Sequence, residues 1–430
     1  MNVGFAVHDI TPTTYLSMDG YADRSEVSSG TLNPLYTKAC VIKDNNDVLV
    51  MISIDILGVD QIITSQVKQA VSDLYNIPTS NIVLNASHTH GAPAAARFGD
   101  LDEFFILDDP TNDDIDYYQQ LPLKIIQCVQ QAFLTMQQGF IRYFSCPIHS
   151  VSSNRVDPTF DAHNEATLFL FEDTQQQLIG MWTIFANHPT VLDATNTLYT
   201  NDFISSYHEH LEKHYPDAIF MYLQGCAGDI SSRYVKSSST PLQAQLIGET
   251  FAKQILACDA YHVSLNSLTS IQEISITFDK RVFDEEVDLQ QQTTEAYNAY
   301  THAKKTNTDP LTLRKLYVSY QGKQMANLIK EKVHVSTFQA SLTCIDFDKI
   351  TLISTPTETF SSIAKDIQQL NPSKKTVVLG YTNGYVGYLV DKTNMDNELC
   401  YEKNMMVIQK DSFQKVIKKS QQLLNKVKGM

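Results

Sequence analysis

The sequence predicts an α/β protein, a mixed β-sheet core flanked by helices. Two observations predict it. Six short apolar, β-branched runs stop at small or polar residues: NDVLVMISIDILG, NIVLNASHTH, QLIGMWTIFANHPT, DAIFMYLQGCAGDIS, DKITLISTPTET and TVVLGYTNGYVGY. Such runs bounded by turn signals read as buried strands. Between them lie segments whose apolar residues recur near a 3.6-residue period, and strand–helix alternation of this kind favours a largely buried mixed sheet.

Taken in order, Asp47–Val59 opens as a strand broken by Ser53 and Asp55, too short and polar to span a bilayer. DQIITSQVKQAVSDLY follows as a helix, with Ile62, Ile63, Val67, Ala70 and Val71 on one stripe. NIVLNASHTH returns as a strand. Asp102–Tyr118 is an acidic loop carrying Asp108, Asp109, Asp113, Asp114 and Asp116; it lacks the EF-hand spacing of a calcium site and reads as a solvated loop or a cap on the next helix, LPLKIIQCVQQAFLTM. In SYHEHLEKHYP, His210 and His214 have i, i+4 spacing, but position 212 is Glu212, so HExxH is not met and a solvated face is expected. Helices follow at AQLIGETFAKQILA and TFSSIAKDIQQL, and a Gln-rich helical hairpin at Phe283–Lys332 reads as an excursion near the site or over one face. The last helix, SFQKVIKKSQQLLNKVKG, is basic and amphipathic and is expected to pack on the body. No repeat or low-complexity linker divides the chain, so residues 1–430 are expected to form a single domain.

Composition excludes several classes of function. The net charge of −15 argues against a nucleic-acid partner, which needs a basic face, and against attraction to an anionic membrane. Seven widely spaced cysteines without a CxxC disfavour a disulfide framework or a thiolate zinc site and point to free thiols in a reducing compartment. MNVGFAVHDITP lacks the basic and apolar regions of a signal peptide. A cytoplasmic protein without stable membrane insertion is the expectation.

The chemistry concentrates at strand ends. In LNASHTHGAP, a strand running into a turn places His88 and His90 on one side. His188, Asp229, Glu358 and Tyr388 also lie at or after strand ends, where open α/β sheets collect their sites. Two histidines and a glutamate supply what a catalytic zinc wants, with a position left for water. Read singly, His188 is equally a turn cap before Pro189, Glu358 a helix N-terminal charge and Tyr388 a core residue. Arg155, in SSNRVD, reads as a carbonyl or oxyanion partner or as a surface ion pair; Asp229 reads as an acceptor behind a ligand histidine or as a cap. No P-loop, GxGxxG or GxSxG is present.

The ordered set DITP, DGYADR, NASHTHGAP, SNR, FANHPT, TNDF, QGCAGDIS, TPTETF and NGYVGY resembles the N-terminal catalytic domain of neutral/alkaline ceramidases over nearly the whole chain. That resemblance implies a zinc amidase cleaving an N-acyl bond, the metal held by His88, His188, Glu358 and Tyr388. It implies that His90 lies beside metal and substrate as general acid/base or oxyanion partner. Arg155, with Tyr385, would orient the substrate, and Asp229 and Asp202 (the latter in TNDF) would support the ligands from behind. Three features depart from the family pattern. No signal or anchor and no C-terminal immunoglobulin-like domain is expected here; LVDKTNMDNELCYEKN replaces a Thr/Glu-rich segment; and Gly91-Ala92-Pro93 stands where Ser-Gly-Pro is usual. The substrate is accordingly a small-molecule or lipid N-acyl amide. A zinc esterase or other hydrolase of a small soluble substrate, and a non-catalytic ligand-binding relative, are the rival readings.

Overall fold

The computed structural model describes residues 1–430 apart from positions 22, 25, 96–109, 161, 163, 284–287, 307 and 429–430. Its larger sheet contains β1 (Asn2–Asp9), β2 (Tyr36–Asp44), β3 (Asp47–Ile54), β4 (Ile82–Ala86), β5 (Gln137–Pro147), β6 (Glu165–Asp173), β7 (Leu178–Phe185), β8 (Ile219–Gln224) and β9 (Val263–Leu265). Their order is β8-β7-β6-β5-β1-β2-β3-β4, with β9 alongside β5. A second sheet runs β10-β11-β12-β13, from Leu268–Asp279, Thr337–Phe347, Ile350–Ser354 and Lys375–Leu379. Three neighbouring pairs are parallel: β3 with β4, β7 with β8, and β12 with β13.

The period-2 alternation of side chains sorts these residues into layers. In β2, Ala39 and Val41 join the apolar cluster formed with α1 (Gln61–Tyr75) and α2 (Asn112–Leu134), whereas Cys40 and Ile42 face the second sheet. α3 (Phe203–Glu212) and α4 (Pro241–Leu256) cover the other half of that outer face. Between the sheets lies a core built on Phe5, Phe169, Phe171, Trp182, Phe347, Leu352 and Leu379; the Phe169 and Phe347 rings, one from each sheet, are 5.9 Å apart, within the usual range for an aromatic pair. After α5 (Leu289–Lys305), the outer face of the second sheet is covered by α6 (Pro310–Lys332), α7 (Ser361–Gln369) and, beyond the short α8 (Tyr401–Asn404), α9 (Ser412–Lys428). The result is four layers, helix–sheet–sheet–helix.

All six runs read as strands are strands, and the core is mixed as expected. It is two stacked sheets, however. Strand β10 (LTSIQEISITFD), which the apolar runs do not reveal, alternates polar with apolar residues. Asp108 and Asp109 of the acidic loop lie outside the described residues. Asp114 caps α2: its carboxylate accepts the Thr111 N–H at 2.9 Å and the Ser17 N–H at 3.0 Å. His210 lies on α3 but His214 lies past its end, on the surface, with its Nδ1–H bonded to the His210 carbonyl at 3.0 Å. The hairpin expected at 283–332 is α5 and α6, joined by Tyr297–Tyr320 and Tyr300–Tyr317 ring contacts of 5.2 and 5.1 Å. Among the described residues no helix is long and apolar enough to cross a membrane.

Helices α3 and α4 approach so closely that a Cβ at Gly248 would sit 2.1 Å from Ser206 Oγ and 2.2 Å from the Phe203 carbonyl oxygen. Gly248→Ala should therefore lose about 1–3 kcal/mol in chemical denaturation, rather than gain the ~1 kcal/mol that helix propensity alone gives. A stabilised variant would show that the two helices can part without cost.

Candidate metal centre

Buried amides tie together the chain segments that carry the site. The Asn85 side chain donates to the carbonyl of Gly380 (2.8 Å) and the hydroxyl of Thr382 (2.9 Å), and accepts from the Gln224 N–H (2.7 Å). The Gln224 side chain donates to the carbonyls of Ser87 and Asn187, each at 2.9 Å. The ends of β4, β7, β8 and β13 are thus fixed to one another. His88, Asp202, Tyr381 and Asn383 all have positive φ, between 52° and 65°. Such backbone strain in non-glycine residues clusters at functional sites.

His88 and His188, past the ends of β4 and β7, face each other with Nε2 atoms 3.1 Å apart. His88 Nδ1 is 2.7 Å from the Leu57 carbonyl, and His188 Nδ1 lies 2.7 and 3.1 Å from those of Ala227 and Ile230. A carbonyl only accepts, so each Nδ1 carries the proton, and a neutral ring then presents a bare lone pair at Nε2. Burial, and then the Arg155 charge, depress His188 to about 3, which keeps it neutral. Glu358 Oε2 is 3.1 Å from both Nε2 atoms.

Three electron-rich atoms thus form a triangle with 3.1 Å sides in a nearly dry site. Alone they repel. A four-coordinate zinc with bonds of about 2.0–2.1 Å holds its donors roughly 3.3–3.4 Å apart, so the donor set fits such an ion. His90 comes from the other side, its Nε2 3.4 Å from His88 Nε2, and the nitrogens of the three imidazoles lie within 4.8 Å of one another. Burial, reinforced by His88 and His188, lowers His90 well below the usual imidazole range, and its Nδ1 is buried without a partner.

The remaining candidates take more varied positions. Glu358 does not open a helix; it lies in a two-residue strand paired with Tyr388–Leu389, three positions before α7. Tyr388 is thereby set beside it, and its hydroxyl accepts from Arg155 Nη2 at 3.0 Å. Arg155 is buried, not a surface residue: it also donates to the Gly228 carbonyl (2.8 Å), and its Nε lies 2.8 Å from Glu402 Oε1, an ion pair without hydrogen-bond alignment. Tyr385 donates its hydroxyl proton to Glu358 Oε1 at 2.6 Å, so it orients the carboxylate.

Asp229 and Asp202 do not support the imidazoles, whose Nδ1 protons are taken by backbone carbonyls. Asp229 instead accepts from Asn154 Nδ2 (2.8 Å) and from the Ser361 N–H and hydroxyl (2.7 and 2.8 Å), capping α7. Asp202 caps α3 at Phe203 N (2.8 Å) and holds the loop after His188 through Leu192 N (2.9 Å) and Val191 N (3.2 Å). Burial raises both carboxyls to about 6.

The sequence model of the neutral/alkaline non-lysosomal ceramidases, N-terminal part, matches residues 1–345. The chain belongs to the neutral/alkaline non-lysosomal ceramidase family. It is 28% identical to a neutral ceramidase of Oryza sativa over 218 residues (46% of this chain and 27% of that one). It is 24% identical to a neutral ceramidase of Drosophila pseudoobscura over 232 residues (50% and 32%). The matches thus span only about a quarter to a third of those relatives. The fold is that of the crystallised neutral ceramidase of Pseudomonas aeruginosa, with a TM-score of 0.76 and 16% identity, over 99% of this chain and 74% of that chain.

Within this ceramidase-family fold, sequence reasoning misses Tyr381, Glu402 and the Asn85–Gln224 amides. Tyr381 packs against His88 with ring centroids 4.3 Å apart and planes tilted by 34°. Its adjacency to NGYVGY is the one signal that marks it. Nothing in the spacing links Glu402 to Arg155, 247 positions apart (402 − 155).

Tyr385→Phe should weaken divalent-metal affinity about ten- to hundredfold by freeing Glu358 to rotate, measured by titration against a fluorescent chelator. An unchanged affinity would show that the hydroxyl does not set the carboxylate.

Proposed function

We propose that this chain is a zinc-dependent amidohydrolase that cleaves an N-acyl bond, as the names of its ceramidase relatives suggest. The observation that carries the reading is the pair of bare imidazole nitrogens and the carboxylate oxygen facing one point. His88, His188, Glu358 and Tyr388 would hold the ion. A zinc bound there polarises a carbonyl and makes water acidic enough to lose a proton near neutral pH. His90, kept neutral and close to the donors, is placed to take a proton from water and return one to the leaving nitrogen. Arg155, fixed by Gly228 and Glu402, steadies the Tyr388 hydroxyl, and Tyr385 steadies Glu358. The substrate is an N-acyl amide, lipid or small. All seven cysteines are free, six of them buried, which supports a reducing, cytoplasmic setting.

Elemental analysis should find one zinc per chain. Hydrolysis of N-acyl amides should be abolished by chelator, restored by zinc, and reduced at least about a thousandfold in His188→Ala, which also loses the metal. Ester but not amide turnover would make the centre an esterase. A chain that takes up no metal would overturn the centre itself.

A further inference from the structure

Arg155 does not stand alone. Its backbone carbonyl accepts from Arg314 Nη2 at 3.1 Å and, more weakly, from Arg233 Nη1 at 3.5 Å. Arg314 also donates to the Tyr234 hydroxyl. Three guanidiniums therefore gather around one stretch of chain, and only Arg155 has a carboxylate, Glu402. Among the described residues neither Arg233 nor Arg314 forms an ion pair. Arg233 is exposed and Arg314 half-exposed, so both can be reached from solvent.

The cluster is attached to the metal centre. Ser231, two residues before Arg233, is bridged to His188, and Arg155 donates to the Tyr388 hydroxyl. Glu402 is one carboxylate among three guanidiniums, so positive charge is left over, and the planar guanidinium matches carboxylate and phosphate oxygens in pairs. The overall charge of −15 disfavours anions at large, so a local seat of this kind selects where an anion goes.

We propose that Arg233 and Arg314 seat an acidic group of the substrate, so that the amide hydrolysed carries an anionic head a few bonds from the scissile C–N bond. This deepens the amidohydrolase reading and rests on it.

The test compares N-octanoylglycine with N-octanoylethanolamine, which share an acyl chain and differ in head-group charge, using the zinc-loaded full chain. The expected result is a kcat/KM preference for the anion of about thirtyfold or more at low salt, shrinking as ionic strength rises. Arg233→Gln and Arg314→Gln should each cut that ratio about tenfold, whereas the lysine variants keep most of it. The ratio is insensitive to general damage, which lowers both rates alike. Equal turnover of the two amides, or a ratio that the glutamine variants leave unchanged, overturns the seat while the amidohydrolase reading stands. If neither amide is hydrolysed, that reading fails. The seat is then read by calorimetric binding of N-octanoylglycine: binding that the glutamine variants weaken supports it, and no binding overturns it.

Discussion

The site depends on one electrostatic conflict. Two imidazole lone pairs and a carboxylate oxygen are held 3.1 Å apart where little water reaches to screen them. Such an arrangement persists only if the scaffold is stiffer than the repulsion, and it is relieved most directly by a cation. Each partner is therefore fixed from behind. Backbone carbonyls take the Nδ1 protons of both rings, and Tyr385 takes up the second oxygen of Glu358. The ring tautomers are set by the fold, so the donors are ready before any metal arrives.

The stiffness comes from polar groups, not only from the apolar layers. Asn85 and Gln224 fasten the exits of four strands belonging to both sheets. Fully satisfied buried amides of this kind specify one arrangement, because any slip strands a donor without water to replace its partner. The core between the sheets, with Phe169 against Phe347, keeps the two halves in register. The metal candidates come from segments spread from position 88 to position 388, and these contacts bring them together.

Much of this was legible in the sequence. Apolar runs marked the strands buried on both faces, and their ends marked His88, His188, Glu358 and Tyr388. The second sheet was not legible as a separate layer, because β10 and β11 alternate and their polar face breaks up the apolar signal. The supporting residues were harder still. Asp229 and Asp202 sit among site motifs and are acidic, but the imidazole protons they would accept go to main-chain oxygens, which no side-chain pattern reveals. Arg155 was legible as a site residue mainly through the family resemblance, and its burial was not, since its partner Glu402 lies far along the chain in a segment that departs from the ceramidase pattern.

That segment has a further consequence. It leaves the candidate metal centre at Tyr388 and comes back through Glu402 to Arg155, while α6 reaches the same stretch of chain through Arg314. Two excursions that carry no donor atom of their own thus meet beside the candidate donors. Selection can reshape either one without disturbing the three donor atoms.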